Sequence, residues 1–186
     1  SGFIGKRFCV INDHRHQIKR VSMRNIEISR IDLSGIDVIL HLAAIAHQNG
    51  ITDHDDFEVN YVLTKELAIK AAESGVKHFV FMSSTRVFSE KYEHLTPKSD
   101  CQPTDAVGKS KLKAERLLES LSSEDFTISV IRAPLVYGPG VKGNIKKLID
   151  LVDKKKWIPL GNINNARSMV SLDTLIALVD RIIEKR

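Results

Sequence analysis

Residues 37–44 read Asp-Val-Ile-Leu-His-Leu-Ala-Ala, or DVILHLAA. The run 37–42 is almost continuously apolar where a half-exposed strand would alternate, the pattern of a strand covered on both faces. Downstream, Val59, Val62, Leu63, Leu67, Ala68 and Ala71 recur at helical spacing across 57–74, and Gly75 suits the stop. HFVFM at 78–82 predicts the next strand. A second helix spans 108–121, with Leu112, Leu117, Leu118 and Leu121 as its stripe, and TISVI at 127–131 predicts a further strand. Such alternation predicts an α/β fold, because each helical crossover returns the chain to begin another parallel strand. Upstream, 17–23 and 26–31 read as two more strands.

Beyond Ala133 the texture changes. Pro134, Gly138, Pro139, Gly140 and Gly143 form a turn-rich passage, followed by a helix over 144–155, a loop at 162–165 and a closing helix over 171–185. The 186 residues suffice for one domain with a core, and 42% hydrophobic with 27% charged is a globular balance. The apolar runs are far shorter than the ~20 residues of a membrane span, so no membrane insertion is expected. The net charge of +5 is modest and scattered. A nucleic-acid protein concentrates its basic residues into a stripe, so no nucleic-acid partner is expected. Cys9 and Cys101 lack a metal or CxxC spacing, and the seven histidines form no HExxH. No metal is expected, and a reducing cytoplasm fits, since no charged-then-apolar leader opens the chain.

Two features point to a nucleotide. Gly2 and Gly5, flanking Phe3 and Ile4 in SGFIG, open a predicted helix where the backbone can approach a pyrophosphate at the positive helix end. Arg24 stands at the end of the predicted strand 17–23, where NAD enzymes tend to carry an acid. An arginine there suits the extra phosphate of NADP or plain surface, so these residues leave the cofactor as NAD(P).

The series SGFIG, DVILHLAA, FMSS with VGKSK, and RAPLVYGPG resembles the NAD-dependent epimerase/dehydratase family of extended short-chain dehydrogenases. LVYGPGVKGN followed by PLGNINNARSMVSLDTL is similar to bacterial UDP-sugar 4-epimerases, particularly those acting on N-acetylhexosamines for surface polysaccharides. The resemblance implies a Rossmann-like doubly wound parallel sheet, here lacking its first strand, and part of a small C-terminal substrate domain. It divides the chain into an NAD(P)-binding domain at 1–133 and a partial substrate region at 134–186, mixed with the last Rossmann elements. A piece of a longer protein is expected. It further implies NAD as the cofactor, with NADP not excluded, a nucleotide-diphosphate sugar as partner and a homodimer through the helices 57–74 and 108–121.

The family's residues carry over position by position. Asp32 and Leu33 match the end of the third strand, near the adenine, although a turn aspartate reads equally well. Leu42, Ala43 and Ala44 match small positions over which the cofactor lies, Ser83 matches a cofactor contact, and Pro134 and Val136 match positions near the nicotinamide. Asn60 matches a residue that supports the active-site lysine. Ser84 matches the hydroxyl that shares the substrate's hydrogen bond, and Lys111 the lysine that also holds the cofactor. Thr85, Asn144 and Arg167 match substrate contacts, Arg167 as a planar grip on the diphosphate. Family members remove the sugar hydroxyl proton with a tyrosine four residues before the lysine, passing through a transient 4-keto sugar. Here that position is Val107, so impaired catalysis is expected. The alternatives are a non-catalytic nucleotide-binding remnant, or a sugar dehydratase or reductase. Thr85-Arg86 disfavours the dehydratase, which places an acidic pair there.

Overall fold

The structure, a computed structural model, describes residues 2–23, 26–43, 53–92, 94–96, 98–141, 143–154 and 166–185, the side chains of 53–59 and 144 excepted. Its elements are α1 (Phe3–Asn12), β1 (Val38–His41), α2 (Asp53–Glu73), β2 (His78–Ser84), α3 (Ala106–Leu121), β3 (Thr127–Ala133), β4 (Leu135–Tyr137), α4 (Asn144–Lys154), β5 (Met169–Ser171) and α5 (Leu172–Glu184). Single 3₁₀ turns lie at Ile28–Arg30 and Thr85–Val87.

β1, β2 and β3 form one sheet in that order, all parallel, with Val38 opposite His78 and Ser84 opposite Ala133. Period-two alternation along β2 divides the core between its faces. Phe79 and Phe81 face Leu67, Ala68 and Ala71 of α2 and Ala114 and Leu118 of α3. Val80 and Met82 face Phe8 of α1 and Leu172, Leu175, Ile176 and Val179 of α5. Helices therefore cover both faces, which makes the sheet doubly wound and explains why DVILHL and HFVFM are apolar on both sides. β4 and β5 form a separate two-stranded parallel pair.

The predicted strands 17–23 and 26–31 are not strands. Residues 17–23 join neither sheet, and 26–31 contains the 3₁₀ turn Ile28–Arg30. Most of their apolar residues still point inward, Ile18 on the α1–α5 side and Met23, Ile26, Ile28 and Ile31 on the α2–α3 side, whereas Val21 is exposed. Alternation places side chains, but a strand also needs a neighbouring backbone. Among the described residues none pairs with them.

Helix ends follow local chemistry. After α2, Val76 N donates to Ala71 O and Gly75 N to Ala72 O, each at 3.1 Å, and Gly75 takes φ 78°. This double closure needs a left-handed residue, which glycine supplies. At the start of α3, Asp105 accepts from Gly108 N at 2.8 Å and from Arg86 Nε at 3.0 Å. It thereby fastens the helix to the Thr85–Val87 turn. A Cβ on Gly108 would lie 2.3 Å from Arg86 O and 2.7 Å from the Pro103 Cβ. Backbone on one side leaves little to yield, so Gly108→Ala is expected to cost about 1–3 kcal/mol. Urea unfolding measures it; an unchanged midpoint would show that the turn moves aside freely.

Candidate functional site

Parallel strands bring the ends of β1, β2 and β3 to one edge, and the side chains there come from four elements. Ser84 closes β2, and its Oγ accepts from Arg86 N at 3.3 Å, with Thr85 starting the turn. Val107 lies buried in the first turn of α3. Lys111 follows one turn later on the same helix face. It is only 6% exposed, and its Nζ donates to Met82 O at 2.7 Å and sits 4.4 Å from the centre of the Phe81 ring. Burial pushes its pKa down to about 8, opposed by the nearby charge of Glu115. A lysine buried this deeply in an apolar layer is unusual without a partner, and here the direct partners are a carbonyl and a ring face.

His41, the last residue of β1, is buried against both Phe79 and Phe81. Its Nε2 meets Thr64 Oγ1 at 3.0 Å, and that hydroxyl donates to Asn60 O at 2.7 Å, so α2 is tied to the end of β1. Burial first, and then the charge of Lys111, depress the His41 pKa to about 3. The unfolded chain protonates this histidine near 6.5, so stability is full above that pH and falls as the pH drops from 6.5 towards 3. Between pH 6.5 and 5.5 the loss from this group is expected to be about 1 kcal/mol, steepening towards ~1.4 kcal/mol per pH unit below that. His41→Gln should flatten that limb in chemical denaturation, and an equally steep limb in the variant would sink the assignment.

A buried ionic group flanks the lysine. Glu115 accepts from Ser83 Oγ and from Arg132, whose NH2 lies 2.7 Å from Oε2 and whose Nε lies 3.1 Å from it. Glu115, Arg132 and His41 did not emerge from sequence reasoning. A carboxylate one turn beyond Lys111, on a helix face otherwise lined by Leu118 and Ala114, was the available signal for the first of them.

Other sequence-derived positions gather around the same edge. Leu42 and Ala43 follow β1 directly, and Leu42, Phe3, Ile4 and Val136 pack on the α1–α5 core. Gly2 caps α1 in an extended conformation with no side-chain cap, and a Cβ built on it would meet nothing within 4 Å. The start of α1 at Gly2 is thus open for close approach of a ligand, while Gly5 is half-buried. The ring of Phe3 stands 3.8 Å from where Gly140 would carry a Cβ, which draws the turn after β4 towards α1. Pro134 links β3 to β4.

Asp32 and Leu33 are not brought to this edge. They precede β1, on the side where Asp37 O accepts from Lys77 N and His78 N, the starting end of the strands. Leu33 is buried in the α2–α3 core, and Asp32 is exposed. Hydrogen bonds from Ser34, and then Lys19, hold the Asp32 carboxyl down at about 2. This is the turn aspartate. Arg167 is exposed just before β5, and Asn144 begins α4, with its side chain outside the described residues. Arg24 and Ala44 also lie outside them. Among the described residues no group of histidine, cysteine and carboxylate side chains is arranged for a metal, and no helix is long and apolar enough to cross a membrane.

Comparison with known proteins places the chain in a wider set. The description "NAD dependent epimerase/dehydratase family" matches residues 1–186. A UDP-glucose 4-epimerase of Vibrio cholerae is 37% identical over 158 residues, 80% of this chain and 48% of that protein. The chain spans about half the length of the curated relatives it matches. Among solved structures, a UDP-N-acetylglucosamine 4-epimerase from Bacillus cereus superposes with a TM-score of 0.80 at 20% identity, over 99% of this chain and 71% of that one. A UDP-glucuronic acid 4-epimerase from Bacillus cereus, in complex with UDP-glucuronic acid and NAD, gives 0.72 at 24% identity, over 86% and 54%. At these identities the structures speak for the fold.

Proposed function

Because the chain belongs to the NAD-dependent epimerase/dehydratase family, we propose that it forms the cofactor-binding part of a nucleotide-sugar 4-epimerase whose catalytic power is reduced by Val107. The observation that carries this reading is the buried Lys111, set one turn beyond Val107 and against the end of β2 that presents Ser84. A charged amine held in a dry layer is expensive to keep unless it meets a ligand.

The residues present fit NAD. The uncapped start of α1 at Gly2 suits a pyrophosphate, which the positive helix end and the free first-turn N–H groups favour. Leu42 and Ala43 give a low apolar floor beside it, and Lys111 has two N–H bonds left beyond its bond to Met82 O for ribose hydroxyls. When bound, the nicotinamide supplies the hydride acceptor and donor. The chain's own part is to orient. Ser84 offers a hydroxyl at the strand end for the sugar hydroxyl, while Lys111 places positive charge where a proton leaves. Val107 neither holds nor moves a proton, so the base is missing from its place on α3.

Buried methyl groups at 107 also favour a second reading, a nucleotide-binding protein that does not turn over sugar. NAD titration by calorimetry, followed by incubation with UDP-glucose and UDP-N-acetylglucosamine, separates the two. Binding with slow interconversion supports the impaired epimerase; binding with none supports the second reading. No NAD binding at all sinks both.

A further inference from the structure

The Glu115 group has a role beyond holding the fold. Resting on the reading of Lys111 as the cofactor-facing amine, we propose that Glu115 is a positioning residue for Lys111. Bracketed by Ser83 and Arg132, it fixes α3 against the end of β2 and sets the charge balance at the lysine ammonium.

The geometry is specific. Positions 111 and 115 lie one turn apart on the same face of α3, and both side chains reach the last residues of β2. Lys111 Nζ takes Met82 O at 2.7 Å, and Glu115 takes Ser83 Oγ. Ser84, the hydroxyl of the site, comes next in the chain. Two consecutive strand residues, directly before Ser84, are thus held by two consecutive turns of one helix. Arg132, in register with Ser83 across the β2–β3 ladder, forks onto Glu115 and lies 4.9 Å over the ring of Phe88. A tie meant only to pin helix to sheet is met at less cost by apolar packing, because a buried carboxylate loses its water. Its placement one turn from a buried ammonium gives the charge a use. Burial drives Lys111 towards its neutral form, and Glu115 is the group that opposes this.

The charged and titrating groups around the ammonium come from several elements. They are Glu115 on its own helix, with Arg132 of β3 bound to it, and His41 from β1. From α2, the buried Asn60 and Thr64 do not titrate. His41 is neutral above about pH 3, so it leaves the balance to Glu115 and Arg132.

The two partners therefore make opposite predictions, which a structural tie does not. In the full-length protein with isotope-labelled lysine, the ε-carbon shift of Lys111, assigned through Lys111→Arg, is followed against pH. Glu115→Gln should lower its midpoint by about one pH unit or more, since an unbalanced Arg132 then faces the ammonium. Arg132→Gln should raise the midpoint, by releasing Glu115 to Lys111, and the double variant should return it close to the starting value. Midpoints that move the same way in both single variants, or that do not move, overturn the proposal. A variant that fails to fold is replaced by Glu115→Asp, whose shortened reach should lower the midpoint by a smaller amount; no lowering there also overturns it. NAD titration of the unmodified protein runs alongside. If NAD fails to bind while the midpoints diverge, the cofactor reading falls and the coupling of Glu115 to Lys111 stands.

Discussion

Val107→Tyr should raise the rate of sugar epimerisation by about 10²–10⁴-fold, the usual contribution of a general base. Under the proposed reading, position 107 is where the base would stand. It lies in the first turn of α3, one turn before Lys111, and the helix start is fixed by Asp105 to the turn that follows Ser84. A long side chain on a helix leans towards the N-terminus, so a phenol at 107 extends to the edge where β2 ends. Lys111, charged below about pH 8, would favour the phenolate and bring it nearer to neutral pH. Against this stands volume: Val107 is buried, and a larger ring must find space beside the Thr85–Val87 turn. Stability is therefore expected to fall even as turnover rises. The test is conversion of UDP-glucose and UDP-N-acetylglucosamine with NAD, in protein that includes whatever the gene encodes beyond residues 1–186. A folded variant that binds NAD yet shows no gain would leave the binding-only reading in possession.

The parts of the molecule that could be read from sequence are those whose signal is local. DVILHL became β1 because a strand with core on both sides has no polar face to show, and the spacing of Leu67, Ala68 and Ala71 set the inner face of α2. The cap at Asp105 and the stop at Gly75 depend on neighbours within a few residues, so they too are written in the chain. Residues 17–23 mislead because a short stretch with scattered apolar residues can be written as a strand while pairing depends on a distant backbone. Asp32 misleads for a similar reason: position along the chain suggested a strand end, but the turn closed by Ser34 leaves it at the starting edge of the sheet. Nor does spacing alone show that Glu115 meets an arginine from β3, since that contact exists only once the ladder sets Ser83 opposite Arg132. The family resemblance supplied Ser84 and Lys111. What surrounds them, and the charge state that results, depends on contacts between distant parts of the chain.

Lys111→Met should stabilise the fold while weakening NAD binding tenfold or more. A lysine whose folded pKa is about 8 against an ordinary 10.5 is charged at neutral pH at the fold's expense. The unfolded chain keeps its proton up to about 10.5, so this cost is complete below pH 8 and disappears as the pH rises from 8 to 10.5. A displacement of that size corresponds to up to about 3 kcal/mol. Met82 O loses its donor in the variant, which takes back about 1–2 kcal/mol, and methionine keeps most of the apolar stem in contact with Phe81. The expected net gain is on the order of 1–2 kcal/mol at pH 7, shrinking towards pH 10. Thermal and urea unfolding at both pH values measure it. A residue kept only for packing would behave otherwise: its replacement would cost stability at every pH and leave NAD affinity untouched. Stability gained where binding is lost marks Lys111 as a group held against the preference of the fold, which is the physical meaning of a functional site. If Lys111→Met destabilises at pH 7, the amine belongs to the architecture, and the cofactor must be sought against other residues.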